Sequence, residues 1–309
     1  MKEKSQAMKV LITGATGLVG KEVVDLLLQN GVKINYLTTS KNKIQYQPNY
    51  NGFYWNPETG IIDENCLIGV RVIINLAGSS IAQKWTSKNK EDILESRILS
   101  ANLLYNTLKH NPHNVTQIIS ASAIGIYPSH PTHLYTEDFT QFTDTFLSNV
   151  VLKWEDSINQ IERLGIKVCK LRIGLVLSKY GGVLSQMVKP IKMGMGAPFG
   201  SGMQMQSWIH IKDLAEIFLF VMNQHLKGAY NAVAPNPVTN KELIKAIAET
   251  CDVPLLLPNI PKFMLKLLLG EMHTLLLDSQ NVSSNKIQAE GFHFQFNSVD
   301  SALEQILKE

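Results

Sequence analysis

The sequence predicts an α/β fold built on a doubly wound parallel sheet, and three observations predict it. A glycine-punctuated loop near the N-terminus joins an apolar strand-like run directly to a helix-like one. Short, continuous apolar runs follow, the pattern of strands buried on both faces. These alternate with longer runs of helical period through about residue 178. Strands separated by helices pair in parallel through right-handed crossovers.

The loop comes first. Val10, Leu11 and Ile12 read as a buried strand, and Gly14, Gly17 and Gly20 then recur at every third position. Ala15, Thr16, Leu18 and Val19 fill the spaces, and residues 18–29 read as a helix with Val19, Val23, Leu26 and Leu27 on one face. Gly14 permits a tight turn, Gly17 lets a pyrophosphate approach the backbone, and Gly20 lets the helix pack close to the strand. The first helical turn has unpaired N–H groups, and its dipole favours an anion. Strand, glycine loop and helix in that order read as a dinucleotide site; a glycine-rich surface turn would not require both flanks.

Gly31 ends the helix, and residues 33–38 form the second strand. An acidic residue at that strand's end would bind the ribose 2′-hydroxyl of NAD. Thr38, Thr39, Ser40, Lys41, Asn42 and Lys43 stand there instead. Hydroxyls and lysines without a carboxylate favour a 2′-phosphate, hence NADP (NADPH), although Lys41 and Lys43 could equally be solvated loop lysines. Residues 53–57 make a short aromatic strand, and 70–76 an apolar one running into Ala77 and Gly78. These two small residues at a strand's carboxyl end let a cofactor lie close. Residues 88–109 read as a long helix carrying Arg97, either a surface side chain or a guanidinium that reaches a phosphate. A strand over 116–120 leads to Ser122, expected at the mouth of the crevice; a helix over 150–164 and a strand over 167–173 follow.

The texture changes after Ser178. Glycines and methionines from Gly181 to Met205 read as a partly helical cover over a ligand cleft, or equally as an irregular loop. Residues 207–234 return to the sheet, and 235–309 look mostly helical. The expected division is a cofactor domain over 8–178 with 207–234, and a smaller, mostly helical substrate-side domain over 179–206 and 235–309. Residues 1–7 are polar and expected to be disordered.

The 309 residues include 45% hydrophobic and 18% charged side chains, with a formal charge of +3. That balance argues against nucleic acid or a membrane surface as partner. Three scattered cysteines, Cys66, Cys169 and Cys251, suggest reduced thiols in a cytoplasm, and the N-terminus lacks a signal-peptide core. His130 and His133 have no accompanying cluster of ligands, so no metal is expected. His210 reads as a helix-entry core residue or a pocket wall, and Asp213 as a residue that caps or supports that helix.

These pieces together resemble the extended, atypical short-chain dehydrogenase/reductases, in the subgroup of epimerase family proteins with unassigned substrate. The glycine loop carries the resemblance, with Ile74-Asn75-Leu76-Ala77-Gly78, Trp85-Thr86, Ser96-Arg97-Ile98 and Ser120-Ala121-Ser122-Ala123. Trp154-Glu155, Arg172-Ile173-Gly174, Ser207-Trp208-Ile209-His210 and the run from Asn231 through Asn240 complete it. The resemblance implies that NADP meets Gly14, Ala15, Thr16, Gly17, Leu18, Val19, Gly20, Thr38, Thr39, Leu76, Ala77, Gly78 and Arg97, with Val176 beside the nicotinamide. Many relatives have arginine where Thr39 stands, so Lys41 or Lys43 would take over the 2′-phosphate. Lys84 likewise stands where relatives often carry arginine.

The resemblance also implies a Ser, Tyr and Lys set in which the tyrosine moves a proton as hydride moves to or from the ring. Ser122 fits the serine by position. The expected tyrosine and lysine positions hold Leu147 and Val151, neither of which carries a proton. Tyr127 is a candidate substitute, or equally a packing residue; Tyr105 and Lys109 precede the serine strand, on the wrong helix. Two functions follow: an oxidoreductase or epimerase working by hydride transfer on a small hydroxyl- or carbonyl-bearing substrate, or a non-catalytic NADP-binding sensor or assembly factor. A homodimer through the helices after 88 and 150 is a further expectation, as in relatives.

Overall fold

A computed structural model describes residues 8–308. The expectation for residues 1–7 lies outside the described residues. In chain order the first elements are β1 (Lys9–Thr13), α1 (Leu18–Gln29), β2 (Lys33–Thr38), β3 (Tyr46–Gln47), β4 (Tyr50–Asn56), β5 (Ile61–Ile62), β6 (Val72–Asn75), α2 (Ser87–His110) and β7 (Gln117–Ala123). Next come β8 (Leu134–Tyr135), α3 (Phe146–Asn159), β9 (Lys167–Ile173), β10 (Leu175–Leu177), α4 (Gly182–Lys192), β11 (Met205–Gln206), β12 (Trp208–His210), α5 (Ile211–Asn223) and β13 (Gly228–Ala232). The chain finishes with β14 (Val238–Thr239), α6 (Asn240–Thr250), α7 (Lys262–Leu269), α8 (Thr274–Leu277), β15 (Asn281–Val282), α9 (Asn285–Ala289) and α10 (Val299–Lys308).

The main sheet runs β13-β9-β7-β6-β1-β2-β4-β3, with β5 paired to β4. From β13 to β4 every pairing is parallel, so the carboxyl ends of β1, β2, β6, β7 and β9 share one edge. The chain goes from β1 to β2 on one side and resumes with β6 on the other, which makes the β1/β6 boundary the switch point where such sheets bind ligands. This is the Rossmann-type sheet that the sequence predicts, with a mostly helical C-terminal region.

Apolar residues alternate between two cores. Val10, Ile12, Val72, Ile74 and Ile119 pack with α1 and α5, while Leu11, Ile73 and Ile118 pack with α2. Burial on both faces is why these strands read as unbroken apolar runs. A third core gathers α4, α6 and α10 around Leu177 and Trp208.

Two of the boundaries that differ from expectation bear on the site. β7 continues to Ala123 because β9 pairs with it through Ala123 and Ile173, which takes Ser122 inside the strand. α3 begins at Phe146, where Thr145 Oγ1 accepts the Ser148 N–H at 3.2 Å; residues 160–164 of the expected helix tighten into a 3₁₀ turn. Among the described residues no helix is long and apolar enough to cross a membrane.

Candidate cofactor site and substrate cleft

Gly14 has φ +69°, and a Cβ there would lie 2.7 Å from the Leu76 carbonyl oxygen. A Cβ on Gly20 would lie 2.1 Å from the Gly14 carbonyl oxygen, so helix and loop meet backbone to backbone. No side chain caps α1, and its first turn holds no acidic residue. The first-turn amides are thus left without a capping partner from the chain, next to a positive dipole end.

Thr13 fixes the neighbouring strand exit. Its Oγ1 donates to Asn75 Oδ1 at 2.8 Å and accepts the N–H groups of Leu76 and Ala77, both at 3.0 Å. Leu76, Ala77 and Gly78 are thereby held beside the glycine loop. At the end of β2, Thr38 is buried and accepts the Ser40 N–H at 3.2 Å, whereas Thr39, Lys41 and Lys43 are exposed.

Arg97 is 8% exposed, not a surface arginine. Its Nη1 donates to the carbonyls of Ile93 at 2.7 Å and Ser79 at 3.2 Å, and its guanidinium lies 5.0 Å from the Trp154 ring centroid. A Cβ on Gly78 would approach its Cζ to 3.1 Å. It has no carboxylate partner among the described residues, and burial pulls it down from 12.5 to about 10. A buried cation without a counter-charge, beside the loop and strand end, suits a phosphate.

Ser122 and Tyr127 lie elsewhere. Ser122 is 3% exposed, and its Oγ donates to Glu155 Oε1 at 2.6 Å. Glu155 also accepts from Arg172 Nε at 2.9 Å and Nη2 at 3.1 Å. Arg172 Nη1 donates to the Tyr127 hydroxyl at 2.9 Å, which in turn donates to Asn231 Oδ1 at 2.8 Å. Burial alone would raise the Glu155 carboxyl, but the Arg172 guanidinium outweighs it and holds it below the ordinary 4.5. Burial raises the Tyr127 hydroxyl above its ordinary 10, against the pull of Arg172. This closed network holds β7, α3 and β9 together, and neither Ser122 nor Tyr127 lines the adjoining cleft. The expectation that Ser122 stands at the crevice mouth is corrected by strand parity: Ala123 faces the cleft, and Ser122 faces α3.

The cleft has a volume of about 890 Å³. Its walls come from residues 80–82, 123–125 and 173–175, from α4, and from the C-terminal segment through Asp278 and Gln280. Leu147 and Val151 line it, so the expected tyrosine and lysine positions do face the cleft, and they are apolar. Leu175 lines it; Val176 pairs with Ile209 between β10 and β12. His210 Nδ1 accepts the Lys212 N–H at 3.0 Å and enters α5 as its cap. Asp213 accepts the backbone N–H groups of Gln295 and Phe296, tying down the C-terminal segment. The pairing of Glu155 with Arg172 and the placing of Asp278 had no signal in sequence spacing.

Residues 10–233 match the NAD dependent epimerase/dehydratase family. The chain belongs to that family. Residues 260–306 match a domain of unknown function, DUF1731. An epimerase family protein of Staphylococcus epidermidis is 34% identical over 301 residues, covering 97% of this chain and 99% of that protein. The crystal structure of a human epimerase family protein, SDR39U1, with NADPH superposes with a TM-score of 0.84 at 27% identity, covering 97% and 99%. The UDP-glucose 4-epimerase of Thermus thermophilus, in complex with NAD, gives 0.75 at 16%, covering 97% and 98%, a likeness of fold alone. This epimerase family member therefore carries its glycine loop in a nicotinamide-dinucleotide-binding fold.

Proposed function

We propose that the chain binds NADP and works as an oxidoreductase or epimerase on a small hydroxyl- or carbonyl-bearing substrate. The observation that carries this is the phosphate cradle: an uncapped helix start packed against the strand end, with Arg97 buried beside it and no carboxylate to compete. Gly14, Gly17 and Gly20 admit the pyrophosphate, and Leu76, Ala77 and Gly78 lie along the dinucleotide. Thr38, Thr39, Lys41 and Lys43 take the 2′-phosphate, and Leu175 with Val176 marks the nicotinamide end. The NADPH of the human relative supports the choice of NADP. When bound, the nicotinamide supplies hydride chemistry; the chain's part is to bind, orient and exclude water. Ser122 and Tyr127, buried in the network with Glu155 and Arg172, brace the strand ends beside the cleft.

A second reading, a non-catalytic NADP-binding sensor or assembly factor, is favoured by Leu147 and Val151 on the cleft wall. Calorimetry with NADPH, NADP, NADH and NAD tests the first step, with NADPH expected at least about tenfold tighter than NADH, a difference of roughly 1.4 kcal/mol. No heat from any of the four would overturn the cofactor reading. NADPH turnover with a panel of carbonyl compounds supports the enzyme, and tight binding without turnover supports the sensor.

A further inference from the structure

The cleft walls are mainly apolar, with Ser80, Gln186, Gln206, Ser207 and Gln280 as their uncharged polar members, and Asp278 is the one ionisable side chain among the described residues that line them. Among the described residues no lysine, arginine or histidine is part of the lining. The Asp278 carboxylate has no hydrogen-bond or ion-pair partner among the described residues; only its backbone N–H is engaged, by the Thr274 carbonyl at 2.8 Å. Burial pushes its carboxyl above the ordinary 3.8, although His273 and Lys262 lie near enough to oppose this. The rim is apolar too: Ile260 and Leu269 line the cleft, and α7 between them leaves Phe263, Leu267 and Leu268 in solvent.

A half-buried carboxylate without a partner is costly until something donates to it. The same carboxylate, with no cation in the wall, repels a phosphate or carboxylate placed in this space. A nucleoside diphosphate is held by guanidinium or ammonium groups or by a cluster of backbone N–H groups, and among the described residues no basic side chain lines this wall.

We infer that the cleft takes an uncharged, mainly apolar molecule whose hydroxyl is held by Asp278, and that it excludes nucleotide sugars. The inference rests on the reading above that this cleft is the substrate side of the cofactor site. It also gives the C-terminal segment of unknown function a role in binding, since that segment contributes both the apolar rim and the one charged anchor among the described residues.

The test is a titration of the full chain with 1-octanol, octanoate and UDP-glucose, by calorimetry and ligand-observed NMR, with and without saturating NADPH. Octanol binds, octanoate binds at least tenfold more weakly, and UDP-glucose neither binds nor displaces octanol. Asp278→Asn narrows the octanol–octanoate gap to about threefold or less. Gln186→Lys places a cation at an exposed position of the lining and raises octanoate affinity about tenfold, which keeps the test decisive even where Asp278→Asn fails to fold. Octanoate binding as tightly as octanol, UDP-glucose competing with it, or a gap unchanged in both variants would overturn the inference. The heat of NADPH binding is read separately, so a failed cofactor reading is distinguished from a failed cleft reading.

Discussion

Replacing Arg97 with methionine separates a cofactor role from a structural one, because the two predict opposite outcomes. Burial lowers this guanidinium from 12.5 to about 10, a difference that corresponds to a cost of about 3 kcal/mol for keeping it charged in the unliganded protein. A base whose folded value is depressed gains stability only above its unfolded value, so at neutral pH the full cost stands. Against that cost are its bonds to the Ser79 and Ile93 carbonyls and its approach to Trp154, interactions of about 1–3 kcal/mol each. Methionine keeps most of the packing volume. The opposing effects cancel at the lower end of that range and leave a deficit at the upper end, so the unliganded variant should be at most about 4 kcal/mol less stable than the parent. Nucleotide binding has no such compensation: a charge-assisted bond to phosphate worth about 1.5–3 kcal/mol should vanish, weakening NADPH roughly 10- to 100-fold. Thermal melts without ligand and calorimetry with NADPH read the two effects independently. A variant destabilised by more than about 4 kcal/mol that binds NADPH with unchanged affinity would refute the reasoning and make Arg97 a packing residue.

Three further outcomes are expected. Gly20→Ala puts a Cβ against the Gly14 carbonyl oxygen and Ala15 backbone, neither of which can rotate away; it should cost roughly 1–3 kcal/mol and abolish NADPH heat in protein that is still folded by circular dichroism. Glu155→Gln breaks a buried ion pair and should cost about 3–5 kcal/mol, whereas Ser122→Ala should cost about 1 kcal/mol; the reverse order in thermal melts would contradict the network. Burial pulls His210 from 6.5 to about 4, so its neutral form stabilises the fold fully above pH 6.5, and this stability drains away as pH falls through about 4. His210→Asn preserves a helix-capping acceptor, and its stability between pH 7 and 4 should fall by up to about 3 kcal/mol less than the parent's; parallel acid limbs would exclude His210 as the source.

How much was legible follows from where each signal lives. α1, β2 and β9 run over the residues that periodicity indicates, because their apolar patterns end at glycine or polar residues. β7 runs past its sequence-derived end because Ala121, Ser122 and Ala123 are weak strand formers kept extended by β9, a tertiary effect invisible locally. Parity then decides Ser122: a one-residue difference along a strand exchanges the two faces, and the sequence alone does not say which faces the cleft. Arg97 had two open readings until α2 was seen packed under Gly78. Asp278 had no reading at all, since its meaning comes from the apolar wall around it and from nothing beside it in the chain.

The two halves of the candidate site obey different constraints, which is why one is legible and the other is not. Phosphate binding needs backbone amides and absent side chains, so it writes itself into sequence as glycines at fixed spacing. Substrate binding needs only a wall of suitable chemistry, assembled from segments between 80 and 280. Leu147 and Val151 show how the halves are coupled. A lysine at 151 would bury an ammonium at a position 2% exposed, and no carboxylate other than Asp278 faces the cleft to balance it. On the reading proposed above, apolar residues at 147 and 151 stand where the resemblance implies proton carriers, and the same two residues keep that wall of the cleft apolar. The departure from the Tyr and Lys pattern is therefore, on that reading, a change in what the cleft accepts.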